Sequence, residues 1–300
     1  MSIFVSQLFN GLSLGSIMLL IALGLAITFG LMNVINMAHG ELIMVGAYAT
    51  YVMQLIFSKY LPESLFNYYY FIAIPISFLV ASFIGYLLEK GIICFLYNRP
   101  TDSLLATWGI SLILQQIARS IFGAPNVAVV APAWMDGGWQ IFGITLPYKR
   151  LLILSLSIVC IALLYYYLNK TSTGLRIRAV TMNRNMASCL GIFTRKIDSL
   201  GFALGAGLAG IAGCSLTLLG PIGPTIGTYY IVDAFMVVIL GGIGGLKGTI
   251  IGAFGIGMLS TVVEYSFGAT MAKVIVFAVI ILFLQWKPLG IFSYRTRALD

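Results

Sequence analysis

The chain has 300 residues, of which 60% are hydrophobic and only 9% charged, with a net charge of +8. Water-soluble domains carry roughly 25% charged residues, so a soluble fold is excluded, whereas a bilayer needs no such charge. In a membrane protein an excess of Lys and Arg marks cytoplasmic loops, not a nucleic-acid surface.

Residues 1–40, 42–58, 64–88, 103–118, 151–169, 199–232 and 248–263 contain no Asp, Glu, Lys or Arg. About 20 apolar residues cross the hydrocarbon core as a helix, and lipid forces backbone groups to bond internally. In chain order the pattern predicts helices over roughly 5–31, 41–57, 70–97, 103–122, 149–169, 198–219, 230–241, 249–264 and 271–286. The expected fold is therefore all-α: a polytopic bundle of eight or nine spans forming one transmembrane domain over 1–300. The segments 41–57 and 230–241 are short enough to be re-entrant. The first Lys or Arg is Lys59, so the N-terminus lacks the basic start of a secretory signal and reads as a retained span.

The strongest basic stretch, 170–198, holds Lys170, Arg176, Arg178, Arg184, Arg195 and Lys196 against Asp198. It is expected in the cytoplasm, with the C-terminus on the same side and the 123–148 loop outside. Within it, Met182, Met186, Cys189 and Leu190 fall at helical spacing, and Asn183, Arg184, Asn185 and Ser188 form the opposite face. This predicts a short amphipathic helix ended by Gly191. Arg178, Asn183, Arg184, Met186, Ala187, Leu190 and Gly191 are candidates for contact with a cytosolic motor; a helix lying on membrane lipid is the plainer alternative.

Asn33–Glu41 (NVINMAHGE) interrupts an apolar run with Asn33, Asn36, the single His39 and Glu41. The plain reading is a helix stop and start, with Asn36 as cap and Glu41 at the positive helix end. The functional reading is a broken element lining a path through the membrane. Thr107, Trp108, Gln115 and Gln116 fall on one helix, and Asp233 lies in another apolar run; these are pathway candidates too. Gly201, Gly205, Ala209 and Gly213 repeat every four residues, as do Gly248 and Gly252, which suits close helix packing. The GGIGGLKG run at 241–248 lacks the phosphate-loop pattern GxxxxGK[ST]. No catalytic motif is present. Four scattered cysteines and one His leave no metal or cofactor site expected.

Three stretches in this order resemble one family: INMAHGELIMVGAY at 35–48, RAVTMNRNMASCLGI at 178–192 and DAFMVVILGGIGGLKGTIIGA at 233–253. The chain resembles the permeases of branched-chain amino acid importers of the ABC superfamily. Within it, LLATWGISLILQQ at 104–116, APAW at 131–134, GGWQ at 137–140, LPYKRL at 146–151 and MASCLGI at 186–192 look like the urea importer permeases. The resemblance implies a transport subunit, not an enzyme, in the bacterial inner membrane. It also implies a second homologous permease, two cytosolic ATPases and an extracytoplasmic substrate-binding protein as partners. Urea is the expected cargo, with branched-chain amino acids or short amides as the alternative. A passive channel or secondary transporter is the further alternative.

Overall fold

The computed structural model describes residues 2–32, 34–60, 62, 66–97, 99–141, 144–242, 245–288 and 290–292. Among them are eleven helices: α1 (Ser2–Met32), α2 (His39–Tyr60), α3 (Tyr69–Gly91), α4 (Pro100–Phe122), α5 (Tyr148–Lys170), α6 (Ser172–Met182), α7 (Arg184–Cys189), α8 (Thr194–Leu216), α9 (Ile226–Gly241), α10 (Leu246–Phe267) and α11 (Ala269–Trp286). Eight of these, all but α6, α7 and α9, are long and apolar enough to cross a membrane. The fold is a polytopic helical bundle.

Two helices form its axis. α1 is apolar all round, and its stretch from Ile17 to Leu25 is buried. A helix without a polar face belongs inside. It packs against α8, α10, α9 and α5, while α8 packs in turn against α3 and α2. Small residues set these distances. A Cβ on Gly205 would lie 2.6 Å from the carbonyl oxygen of Gly24, so two backbones touch where no side chain fits. Gly201 faces Leu31, Gly213 faces the Ile43 carbonyl, Gly248 faces Gly241, and a Cβ on Gly252 would meet the Val237 carbonyl at 2.9 Å. Ala209 is fully buried. All these contacts lie within the one chain.

α2 starts deep inside the bundle. The ring of His39 reaches the Ile21 carbonyl at 3.2 Å. Ile21 lies roughly 16 Å before the end of α1 at 1.5 Å per residue. The chain that leaves α1 therefore turns back to mid-depth before α2 begins. α9 begins at the same level: a Cβ on Gly40 would lie 2.6 Å from the Gly227 carbonyl oxygen. With 16 residues, α9 is about 24 Å long and too short to cross alone. Of the two segments expected to be short, α2 has 22 residues and is long enough to cross, and only α9 stays too short.

Three local expectations need correction. The helix expected over 70–97 ends at Gly91, followed by a 3-10 turn, Ile93–Phe95. The 123–148 stretch is not plain loop: it carries an antiparallel hairpin, Gly138–Ile141 with Ile144–Pro147. There Trp134 stacks on Phe71 at 5.2 Å and donates to the Asn67 carbonyl at 2.8 Å. Lys149, in the first turn of α5, pairs with Asp136 of this segment at 3.3 Å. The amphipathic helix of the basic stretch is two helices, α6 and α7. Asn183 is extended (φ −157°, ψ 102°), and its Oδ1 accepts from the Met186 amide at 2.9 Å. An Asn side chain that caps a new helix competes with continuing the old one.

Candidate functional site

The N-termini of α2 and α9 meet at mid-depth, and the positive ends of both helix dipoles face a shared polar cluster. Asn36 shapes the entry to α2: its Oδ1 accepts from the Ala38 amide at 3.0 Å. Two residues into α2, Glu41 points across to α4. Its Oε1 accepts from Ser111 Oγ and from Gln115 Nε2, each at 2.8 Å. Thr228 of α9 reaches the same oxygen at 3.5 Å and accepts from Gln115 Nε2 at 3.1 Å. Thr107 Oγ1 accepts from the Met37 amide at 3.2 Å. Thr107, Ser111 and Gln115 are spaced four apart, so one polar stripe of α4 runs along the start of α2. Above it the seam turns apolar, with Tyr48 stacked on Phe122 at 4.3 Å.

All members but Thr228 are buried. Glu41 forms no ion pair among the described residues. Its Oε2, His39 Nδ1 and Asn36 Nδ2 are buried without a hydrogen-bond partner. Such groups normally find partners, because an unmet one costs about 1–3 kcal/mol. Their concentration in Asn36–Glu41 sets this segment apart.

The expected pathway residues therefore divide. Asn36, His39, Glu41, Thr107 and Gln115 gather at the start of α2. Trp108 and Gln116 share α4 but face outward, Trp108 being 54% exposed, so neither reaches the cluster. Asp233 is not in it either: it pairs with Lys273 of α11 at 3.3 Å. Asn33 lies outside the described residues. Ser111 and Thr228 were missed. Ser111 was legible, midway between Thr107 and Gln115 at helical spacing; Thr228 gave no sequence signal, since only folding brings α9 to α2.

The basic end has its own arrangement. Arg184 of α7 donates to Asp198 of α8 through both terminal guanidinium nitrogens, Nη1–Oδ1 being 3.2 Å, and covers the Tyr97 ring at 5.2 Å. Tyr97 donates to Glu89 Oε1 at 2.5 Å, and Ser199 donates to Glu89 Oε2. Burial, with Glu89 alongside, pushes the Tyr97 hydroxyl well up, so it stays a donor. Arg184 is thus an internal strut, and Ala187 is buried. Met186 at 60% and Leu190 at 76% exposure turn outward with Met182 and Phe193. Arg178, also exposed, donates to Asn169 at 3.1 Å. Gly191 has φ +81°, and Ile192 N–H closes onto the Ala187 carbonyl at 3.1 Å, a Schellman end to α7. Among the described residues no group of His, Cys, Asp and Glu could hold a metal ion.

Curated relatives align along nearly the whole chain. LivH of Escherichia coli K12, called a high-affinity branched-chain amino acid transport system permease protein, is 29% identical over 96% of this chain and 95% of its own length. BraD of Pseudomonas aeruginosa, with the same description, is 28% identical over 96% and 95%. A probable LivH of Methanocaldococcus jannaschii is 29% identical over 92% and 88%. No solved structure matches. The eight apolar helices and these relatives make the chain a multi-pass protein of the bacterial inner membrane. Residues 7–284 match the family model of the branched-chain amino acid transport system permease component, and the chain belongs to that family.

Proposed function

We propose that the chain is the membrane-spanning permease of an ATP-driven importer and carries branched-chain amino acids inward by alternating access. The observation that carries this reading is the meeting of two half-depth helix starts on a buried carboxylate, the geometry of a discontinuous-helix transport site. Glu41, Ser111, Gln115 and Thr228, with Asn36, His39 and Thr107 beside them, line the path. The cargo moves from urea to branched-chain amino acids because the relatives are named for the latter.

The working complex holds a second homologous permease, two cytosolic ATPases and an extracytoplasmic binding protein. The exposed Met182, Met186, Leu190 and Phe193 supply the apolar surface on which an ATPase docks. This outward apolar group on the basic loop favours a driven permease over a passive channel. The test is uptake of radiolabelled leucine by the reconstituted complex, with urea as competitor, with and without the ATPases. ATP-dependent leucine accumulation that urea leaves unchanged is expected. Accumulation that persists without the ATPases overturns the importer, and uptake of urea in place of leucine overturns the cargo.

A further inference from the structure

Four buried acids lie in the described bundle, and three have both carboxylate oxygens engaged or a cation at hand. Asp198 has Arg184, and Asp233 has Lys273. Glu89 has hydroxyl donors on both oxygens. Glu41 alone among them has one oxygen held by neutral donors and the other, Oε2, without a hydrogen-bond partner, and it forms no ion pair; Arg119, one turn beyond Gln115 on α4, attracts it only through space. The facing helix N-termini offset part of its charge. That offset is smaller than the penalty for desolvating an ion. A charge held this way is stabilised most by a cation that brings its own donors to Oε2.

Resting on the amino-acid reading of the cargo, we propose that Glu41 Oε2 takes the α-ammonium group of the transported amino acid at mid-membrane. Glu41 is then the residue that makes the permease select for a charged amino group. An ammonium offers three donors and a full positive charge. A neutral amide such as urea offers donors but leaves the carboxylate uncompensated. Ser111 and Gln115 fix Oε1, so the carboxylate keeps one orientation while Oε2 is left without a hydrogen-bond partner.

The experiment measures the melting temperature of the purified complex with L-leucine, with leucinamide, which keeps the ammonium and lacks the carboxylate, and with 4-methylpentanoate, which lacks the ammonium. Leucine and leucinamide are expected to raise it and 4-methylpentanoate to leave it unchanged. In Glu41→Gln the leucine affinity is expected to fall at least tenfold, with subunit assembly intact. Equal stabilisation by 4-methylpentanoate, or unchanged leucine affinity in Glu41→Gln, overturns the inference. If Glu41→Gln does not assemble, Glu41→Asp replaces it: weaker leucine binding with discrimination against 4-methylpentanoate kept supports the inference, and lost discrimination overturns it. A wild-type complex stabilised by urea and by neither ammonium compound sinks the cargo reading itself, a result distinct from a Glu41 failure.

Discussion

At the basic end Glu89 and Asp198 are buried beside Arg184; at mid-depth Glu41 is buried among Ser111, Gln115 and Thr228, all neutral. The first group is closed. Its cation bridges α7 to α8 and stacks on Tyr97, so a ligand would have to displace an ion pair to enter. The second keeps a bare carboxylate oxygen between two helix starts. A buried charge with its partner serves rigidity, and one without a partner is poised for a ligand. Across the same bundle the first is suited to passing motion from the basic loop to α3 and α8. The second is suited to meeting a solute.

Removing charges should separate the two most sharply. Arg184→Gln leaves Asp198 buried without a counter-charge, and thermal unfolding should report a loss of about 3 kcal/mol. That is the low end for breaking a buried pair, because the Arg184 side chain is 37% exposed. Adding Asp198→Asn should recover part of that loss; a double variant as unstable as the single would dissolve the strut. Ser111→Ala removes one of the two short donors to Glu41 Oε1 and should cost about 1.5–3 kcal/mol in the same measurement. Glu41→Gln removes a charge that has no ion-pair partner and should move stability by less than about 1 kcal/mol, or raise it, while leucine uptake collapses. A large loss of stability there would put Glu41 in the same class as Asp198. Met186→Asp, on an exposed side chain, should shift stability by no more than about 0.5 kcal/mol, yet abolish recovery of the ATPases in a pull-down. Intact recovery would move the docking surface elsewhere.

The polar stripe of α4 was partly readable before folding. Thr107 and Gln115 stood out in an apolar run, and their spacing implied Ser111. Trp108 and Gln116 shared the run, yet a helix has sides, and the sequence did not say which side met α2. In the basic loop Met182, Met186 and Leu190 are exposed, but the break at Asn183 puts Met182 on α6 and Met186 on α7, so they do not form the single helix face the spacing implied. Arg184, counted among its polar neighbours, instead turns inward, because Asp198 follows on the next helix and only docking α7 against α8 brings the two together.

The sequence by itself determined the membrane-spanning class, the places of nine hydrophobic helices and the breaks between them. Lipid enforces helix over every long uncharged run, so local composition suffices. Only the tertiary structure decided that α2 and α9 begin at mid-depth, that Gln115 and Thr228 converge on Glu41, and that Asp233 goes to Lys273 instead. Those outcomes depend on helix register and crossing, which close glycine contacts such as Gly24 with Gly205 and Gly40 with Gly227 set. Contacts between residues so far apart in the chain leave no periodicity to read.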